Sequence, residues 1–440
     1  MIRTPIAVFA LIGLFISCAP DRDSETEREN LLLATFLFQA TRTPYREITP
    51  EPGSIRIDGA VRETLNFSPQ CTGVEGNTQF KFYVKKGKSS NWIINFMGGG
   101  ACWDGKNCLG KNTVTYFNQA RRFSSLAARY AFDGIMDETN PLNPFKDWNV
   151  LFIPYCSGDL HWGSNSTTYS DPNTGSSVRF QHRGFENFLS TMKYLQSESD
   201  FQDRSSTKIL VTGQSAGAYG AIFNFPYIKE LFPNADAHVV GDAGNGIVPA
   251  GFQTVIDEKW GVTAQVPDWI GIDISDFTDG TLGLGEFYEA VADYYAGTGA
   301  RVGQYTTLFD GNQRFFYNVQ KLILGVAPYT APVTYRDSRD LWGPGDGTLV
   351  PKSISRDWVC QTRNEFAAAA GASNYRSYIA GGDVHTISTS VGFFTERSAG
   401  FPVSQWYFNI ISGNNWNSLT CENQPGGCNP PPSVGSVSCP

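Results

Sequence analysis

Histidine is scarce in this 440-residue sequence, with four residues in all, His161, His182, His238 and His385. They are scattered without ligand spacing and no C-x-x-C pair occurs, so a tetrahedral zinc site lacks its ligand set and no metal is expected. Charge is also sparse. Acidic and basic residues make up 17% of the chain, the net charge is −8, and no dense Lys/Arg stripe runs through it. Nothing in that pattern would pair with a phosphate backbone, which excludes nucleic acid as an expected partner. The apolar runs Pro5–Ile16 and Leu31–Phe38 are both too short to cross a bilayer comfortably. Internal repeats and long low-complexity runs are missing as well. What is plentiful is apolar material, 41% of the residues, enough for a large core in a chain of this length.

The N-terminus carries a different signal. Met1-Ile2-Arg3 followed by the apolar Pro5–Ile16 stretch resembles an export signal, and Leu14-Phe15-Ile16-Ser17-Cys18 resembles a bacterial lipoprotein cleavage box. Residues 1–18 are therefore expected to be a signal peptide with Cys18 as the lipidated residue. Residues 19–45 then form a tether and N-terminal segment, with 31–38 as a short packed helix, and 46–440 form one catalytic domain. This predicts a lipid-anchored envelope protein, or a secreted one if ordinary cleavage applies. Cysteine usage agrees with export: of nine cysteines, setting Cys18 aside leaves eight, an even number suited to disulfides. Cys102–Cys108 is the first local pair, closing a small loop beside a glycine cluster, and Cys421–Cys428 is the next.

Between these ends, strand-like runs alternate with helical ones, the pattern of a largely parallel sheet covered on both faces. Strand candidates are 80–84, 92–96, 150–155, 208–212, 237–240, 302–308 and 375–380. Helical candidates are 185–197, 218–231, 285–295 and 312–324. The aromatic, irregular stretch 244–300 is the natural place for a cap over a site, and the proline-containing tail after Cys421 reads as an irregular segment pinned by disulfides.

Gly213-Gln214-Ser215-Ala216-Gly217 carries the chemistry. G-x-S-x-G marks a nucleophile elbow only where a strand turns sharply into a helix, and here a strand-like run ends at the motif and a helical run begins with it. Ser215 needs a base, and the order Ser, acid, His places that base after the last core strand. His238 begins the next strand candidate with no room for an acid before it, which leaves His385, after 375–380 and the turn Gly381-Gly382-Asp383. Among Asp310, Asp337, Asp340 and Asp346, Asp310 closes a strand candidate and precedes a helix, the placement an orienting acid requires; Asp346, in an Asp-Gly turn context, is the runner-up. Gly98-Gly99-Gly100 follows an early strand, so Gly99, Gly100 and Ala216 are the expected oxyanion donors.

These segments, with N-F-M-G-G-G-A-C-W-D-G-K-N-C (95–108), D-W-N (147–149), Y-C-S-G-D (155–159), H-R-G (182–184), D-G-N-Q (310–313) and His385-Thr386, resemble the pectin acetylesterase and Notum family of serine esterases over roughly residues 55 to 400. The resemblance implies an α/β-hydrolase fold, a mostly parallel central sheet with helices on both faces and loop or cap insertions. It also implies the triad Ser215, Asp310 and His385, and a pairing of Cys71 with Cys156. The family's glycine loop usually carries tryptophan before its cysteine; this chain has Ala101 there and Trp103 after it.

The reading is a serine carboxylic-ester hydrolase working through an acyl-enzyme, without a cofactor, on an acylated carbohydrate or other ester, with the membrane as partner through the lipid anchor. The rivals are an amidase or acyltransferase on the same triad, and a non-catalytic carbohydrate-binding or adhesive envelope protein on the same scaffold.

Overall fold

The computed structural model describes residues 42–74, 78–110, 113–116, 133–197, 201–329 and 345–440. Cys18, the 31–38 helix candidate, Asp337 and Asp340 lie outside the described residues. From Pro44 onward the chain forms one unit, built on thirteen strands among the described residues. They are β1 (Arg46–Ile48), β2 (Gly53–Ile57), β3 (Glu63–Phe67), β4 (Phe82–Lys85), β5 (Trp92–Phe96), β6 (Asn149–Ile153) and β7 (Asn165–Ser170). The remainder are β8 (Ser177–His182), β9 (Lys208–Gln214), β10 (Asp236–Asp242), β11 (Val302–Thr307), β12 (Tyr375–Ala380) and β13 (Leu419–Thr420).

Nine of these strands form one sheet in the order β1-β4-β6-β5-β9-β10-β11-β12-β13. β1–β4 and β4–β6 are antiparallel and every later pairing is parallel. The central strands read as continuous apolar runs because both faces are covered. Trp92, Ile94 and Phe96 of β5 enter one core with Ile209 and Val211 of β9, whereas Ile93 and Leu210 enter the other, as the two-residue period of a strand dictates.

Among the described residues the α-helices, numbered in chain order, are α1 (Gly105–Leu109), α2 (Gly184–Ser197), α3 (Ala216–Leu231), α4 (Phe252–Trp260), α5 (Ile274–Thr278), α6 (Glu286–Tyr294), α7 (Gly311–Leu324), α8 (Lys352–Ala369), α9 (Gly392–Thr395) and α10 (Val403–Ser412). α2, α3, α6, α7 and α8 supply the first core, through residues such as Phe188, Ile222, Phe287, Val319 and Trp358. α9 and α10 supply the second, with Phe393, Trp406, Tyr407 and Ile410.

Three sequence expectations need correction. The 244–300 stretch is less irregular than expected: besides α6, which matches the 285–295 helix candidate, it holds α4 and α5, and α4 forms because Phe252, Ile256 and Trp260 fall on one helical face and are buried together. Two hairpin sheets, β2–β3 and β7–β8, were not anticipated; their polar, half-exposed residues mask the apolar alternation that signals a strand. Strand 237–240 extends to Asp236–Asp242, which carries a carboxylate to its C-terminal end.

Candidate active site

In a parallel sheet the loops at the C-terminal ends of the strands converge, and five of them meet here. The sharpest is at the end of β9. Ser215 has φ +55 and ψ −121 and precedes α3 directly, a backbone that a non-glycine residue occupies only when its surroundings force it. The flanking glycines show what forces it. A Cβ on Gly213 would meet Gly217 O at 2.1 Å and Phe96 O at 2.8 Å, and one on Gly217 would meet Phe96 O at 1.9 Å. Backbone packs against backbone, so no side chain fits at either position.

The glycine loop after β5 lies against this elbow: a Cβ on Gly98 would stand 2.2 Å from Gln214 O and 3.1 Å from Ser215 Cβ. Gly99 and Gly100 follow with φ of +157 and +73. Gly100 is closed in by Thr115 O, which also accepts the N–H of Ala101 at 3.2 Å. Beyond it, Cys102 and Cys108 are joined around α1, which Asp104 and Asn107 cap reciprocally. Trp103 is buried with its ring against Phe252, 4.9 Å between centroids.

The acid and the histidine are held by adjacent loops. Asp310 caps α7 and is fully buried; it accepts the backbone N–H of Gln313 at 2.9 Å and the Gln313 side-chain N–H at 3.0 Å. His385 Nδ1 stands 3.0 and 2.8 Å from the two Asp310 oxygens. A carboxylate there fixes the proton on Nδ1 and leaves Nε2 as the basic nitrogen. The loops carrying them are bonded together: Leu308 N–H donates to Ala380 O, Phe309 N–H to Gly382 O, Gly311 N–H to Asp383 O, and Thr307 Oγ1 to Val384 O. From behind, Gly382 N–H donates to Cys428 O at 2.9 Å, so the tail closed by Cys421–Cys428 props the histidine loop. Burial acts to lower the His385 pKa, but the Asp310 charge and hydrogen bond, with a further contribution from Asp242, outweigh it, and the net shift is upward.

Ser215 and His385 open onto one cavity of about 50 Å³. Gly100 and Ala216 border it on one side, and Ala101, Leu160, Phe252 and Phe316 give it an apolar lining. Asp346 is placed elsewhere, on an exposed turn where it accepts from Thr348 N–H and Oγ1 at 3.0 and 2.7 Å. His238 is buried within β10, with Nε2 3.2 Å from Asp236.

The other two histidines belong to the scaffold. His161 Nε2 bonds Met97 O at 2.9 Å, and His182 bonds Ser157 O through Nδ1 and the Tyr169 hydroxyl through Nε2. Asp159, from the Y-C-S-G-D segment, is buried and accepts from Ser157 Oγ, His161 N–H and Gly184 N–H. The candidate metal grouping among the described residues is Cys102, Cys108 and His182, and its two sulfurs are bonded to each other. The structure joins Cys71 to Cys156 and also pairs Cys360 with Cys439, a pair the spacing of the cysteines did not single out. Two site residues escaped the sequence reading. Gln313 lay in the D-G-N-Q segment, which was the signal for it; Asp242 lay two residues beyond the strand as read.

Residues 74–249 match the family model described as Pectinacetylesterase. The chain is 25% identical over 222 residues to pectin acetylesterase 11 of Arabidopsis thaliana, covering 49% of this chain and 49% of that protein. It is 26% identical over 202 residues to palmitoleoyl-protein carboxylesterase notum1 of Xenopus laevis, covering 43% and 38%. The chain thus spans about half the length, or less, of these curated relatives. In three dimensions it is similar to the Wnt deacylase Notum from Drosophila, with a TM-score of 0.55 at 16% identity over 89% of this chain and 99% of that one. The fold is the α/β-hydrolase fold that the sequence motifs imply.

Proposed function

We propose that this relative of the pectin acetylesterases and Notum is a carboxylic-ester hydrolase that works through a serine acyl-enzyme. The observation that carries the reading is His385, held 2.8 Å from the buried Asp310 carboxylate and opening onto the same cavity as a serine at the tip of a strained elbow. In the mechanism, His385 Nε2 takes the Ser215 hydroxyl proton as Oγ attacks the ester carbonyl. The oxyanion that forms rests on backbone N–H groups of Gly99, Gly100 and Ala216, the last at the N-terminal end of α3. Collapse expels the alcohol, which takes the proton from His385. Water, deprotonated by the same imidazole, then attacks the acyl carbon, and as the acyl–Oγ bond breaks His385 returns the proton to Ser215 Oγ, which releases the carboxylic acid and restores the hydroxyl. Asp310 holds the ring and its tautomer throughout and remains a carboxylate.

The substrate is an acylated carbohydrate or a comparable ester, and the cavity of about 50 Å³ supports a short acyl group. Residues 46–440 act as the catalytic domain, and lipidation at Cys18 tethers it to a bacterial envelope. The test is hydrolysis of p-nitrophenyl esters from acetate to palmitate by a form lacking residues 1–18, beside Ser215→Ala. Activity on short esters that disappears in the variant supports the reading; turnover retained by Ser215→Ala overturns it.

A further inference from the structure

Asp242 takes no part in the ester chemistry above, yet its side chain is fully buried at the end of β10, the strand next to the nucleophile strand. Its backbone carbonyl accepts the N–H of Ser215 itself at 2.8 Å. Its carboxylate reaches the other way, to the histidine loop. It accepts Ile387 N–H at 3.0 and 3.2 Å, Ser388 N–H at 2.7 Å and Ser388 Oγ–H at 2.6 Å. Ser388 Oγ in turn accepts from Gln214 Nε2 at 2.9 Å, and Gln214 immediately precedes the nucleophile. One residue therefore grips the serine through its main chain and the histidine loop through its side chain. Between His385 and these anchors stands Thr386 at φ +60, a β-branched residue in the left-handed region, which persists only where its neighbours over-determine it.

The three groups on the carboxylate all donate to it, and an acceptor-only, ionised side chain is what such a site fits. Burial pushes the Asp242 carboxyl upward, against the Ser388 and Ile387 donors and the nearby His385 charge. The charged groups acting on His385 are Asp310, from the loop after β11, and Asp242. Around Asp242 the other titratable groups are the phenols of Tyr288 on α6, Tyr305 on β11 and Tyr407 on α10, all held neutral by burial. Arg314 on α7 acts with Asp310, Asp383 and Asp346.

We propose that Asp242 is a positioning residue of the catalytic machinery, which clamps the 385–388 loop to the nucleophile elbow and places a second carboxylate behind the imidazolium formed during turnover. The proposal rests on His385 acting as the general base.

The experiment compares pH profiles of kcat and kcat/KM on a p-nitrophenyl ester for wild type, Asp242→Asn and Ser388→Ala, with Ser215→Ala as the control that tests the underlying reading separately. A general base works only when neutral, so activity falls on the acid side as His385 protonates. Loss of the Asp242 charge moves that acid limb to lower pH. Displacement of the loop also lowers kcat, by about a hundredfold for a shift near 1 Å, with KM nearly unchanged. A purely structural role would lower the melting temperature and leave the limb in place, and that result overturns the proposal if Ser215→Ala is inactive. Ser388→Ala keeps the charge and removes the link to Gln214: a lowered kcat with the limb unmoved is expected. Should Asp242→Asn fail to fold, kcat unchanged in folded Ser388→Ala overturns the clamp.

Discussion

Gly98→Ala is a one-methyl test of how the oxyanion loop meets the elbow. The new Cβ would stand 2.2 Å from Gln214 O, a main-chain atom that cannot rotate away, and 3.1 Å from Ser215 Cβ. Ordinary contact requires the loop and the elbow to part by about 1 Å, and a displacement of that size at a reacting centre costs about a hundredfold in rate. Withdrawing a single oxyanion donor costs about a hundred- to a thousandfold. The expected result is kcat on p-nitrophenyl acetate lower by about two orders of magnitude with KM little changed. Gly297→Ala serves as the control, since Gly297 has φ +79 with nothing within 4 Å of a new Cβ. It should lose about 1 to 2 kcal/mol of stability from the left-handed backbone and keep its kcat. Wild-type kcat in a folded Gly98→Ala protein would refute the assignment of this loop to the oxyanion.

Asp310→Asn removes the group that fixes the histidine tautomer and should lower kcat by about three to four orders of magnitude, whereas Asp346→Asn, on its exposed turn, should stay within about twofold of wild type; steady-state kinetics separates the two carboxylates. Burial pushes His161 down to about 4 and His182 down to about 3. Unfolded histidines therefore bind more protons than folded ones below pH 6.5, and this part of the stability is lost as pH falls from there toward 4 and 3. By pH 5 each has lost about 2 kcal/mol. Asp159, pushed up to about 6 by burial against its Ser157, Gly184 and His161 donors, protonates first in the folded state and returns about 1 kcal/mol. Glu365, pushed up to about 7, and Asp242 and His385, also pushed up, act in the same direction as Asp159, so the histidines are read directly: NMR titration should find both imidazoles largely neutral at pH 5 in the folded protein, and protonation of either by that pH would contradict the buried, neutral histidines. Acetate and propionate esters should outpace palmitate, and Phe316→Ala, which opens the wall beside Gly100, should extend the accepted chain length; a palmitate preference in wild type would contradict the small cavity.

The sheet was legible in the sequence because its central strands are buried on both faces and read as mostly apolar runs such as Trp92-Ile93-Ile94-Asn95-Phe96, broken there by one buried amide. Ser215 was legible because the elbow demands glycine at two fixed positions, and backbone carbonyls within about 2 to 3 Å of each absent Cβ are the physical cause. Asp310 and His385 could be ranked by chain order, but the 2.8 Å contact between them depends on bonds between residues some 75 positions apart, which no local pattern encodes. Asp242 was missed for the same reason: its partners, Ile387 and Ser388, lie about 145 residues away. Of the helices in the 244–300 stretch, α6 was legible as the 285–295 candidate, whereas α4 and α5 were hidden by their shortness and by glycines, as at Gly251 and Gly261, which cap α4 at both ends. Cys360 and Cys439, 79 residues apart, carry no local sign that they meet.

The central claim is that Ser215 becomes acylated. The direct measurement is rapid acid quench of the protein during turnover of p-nitrophenyl acetate, followed by peptide mass spectrometry, with Ser215→Ala treated in parallel. The account predicts an acetyl group on the peptide carrying Ser215 and none in the variant, which should also fail to release p-nitrophenol above the uncatalysed rate. Hydrolysis that continues in Ser215→Ala, or an acetyl group found on another residue during turnover, would contradict it.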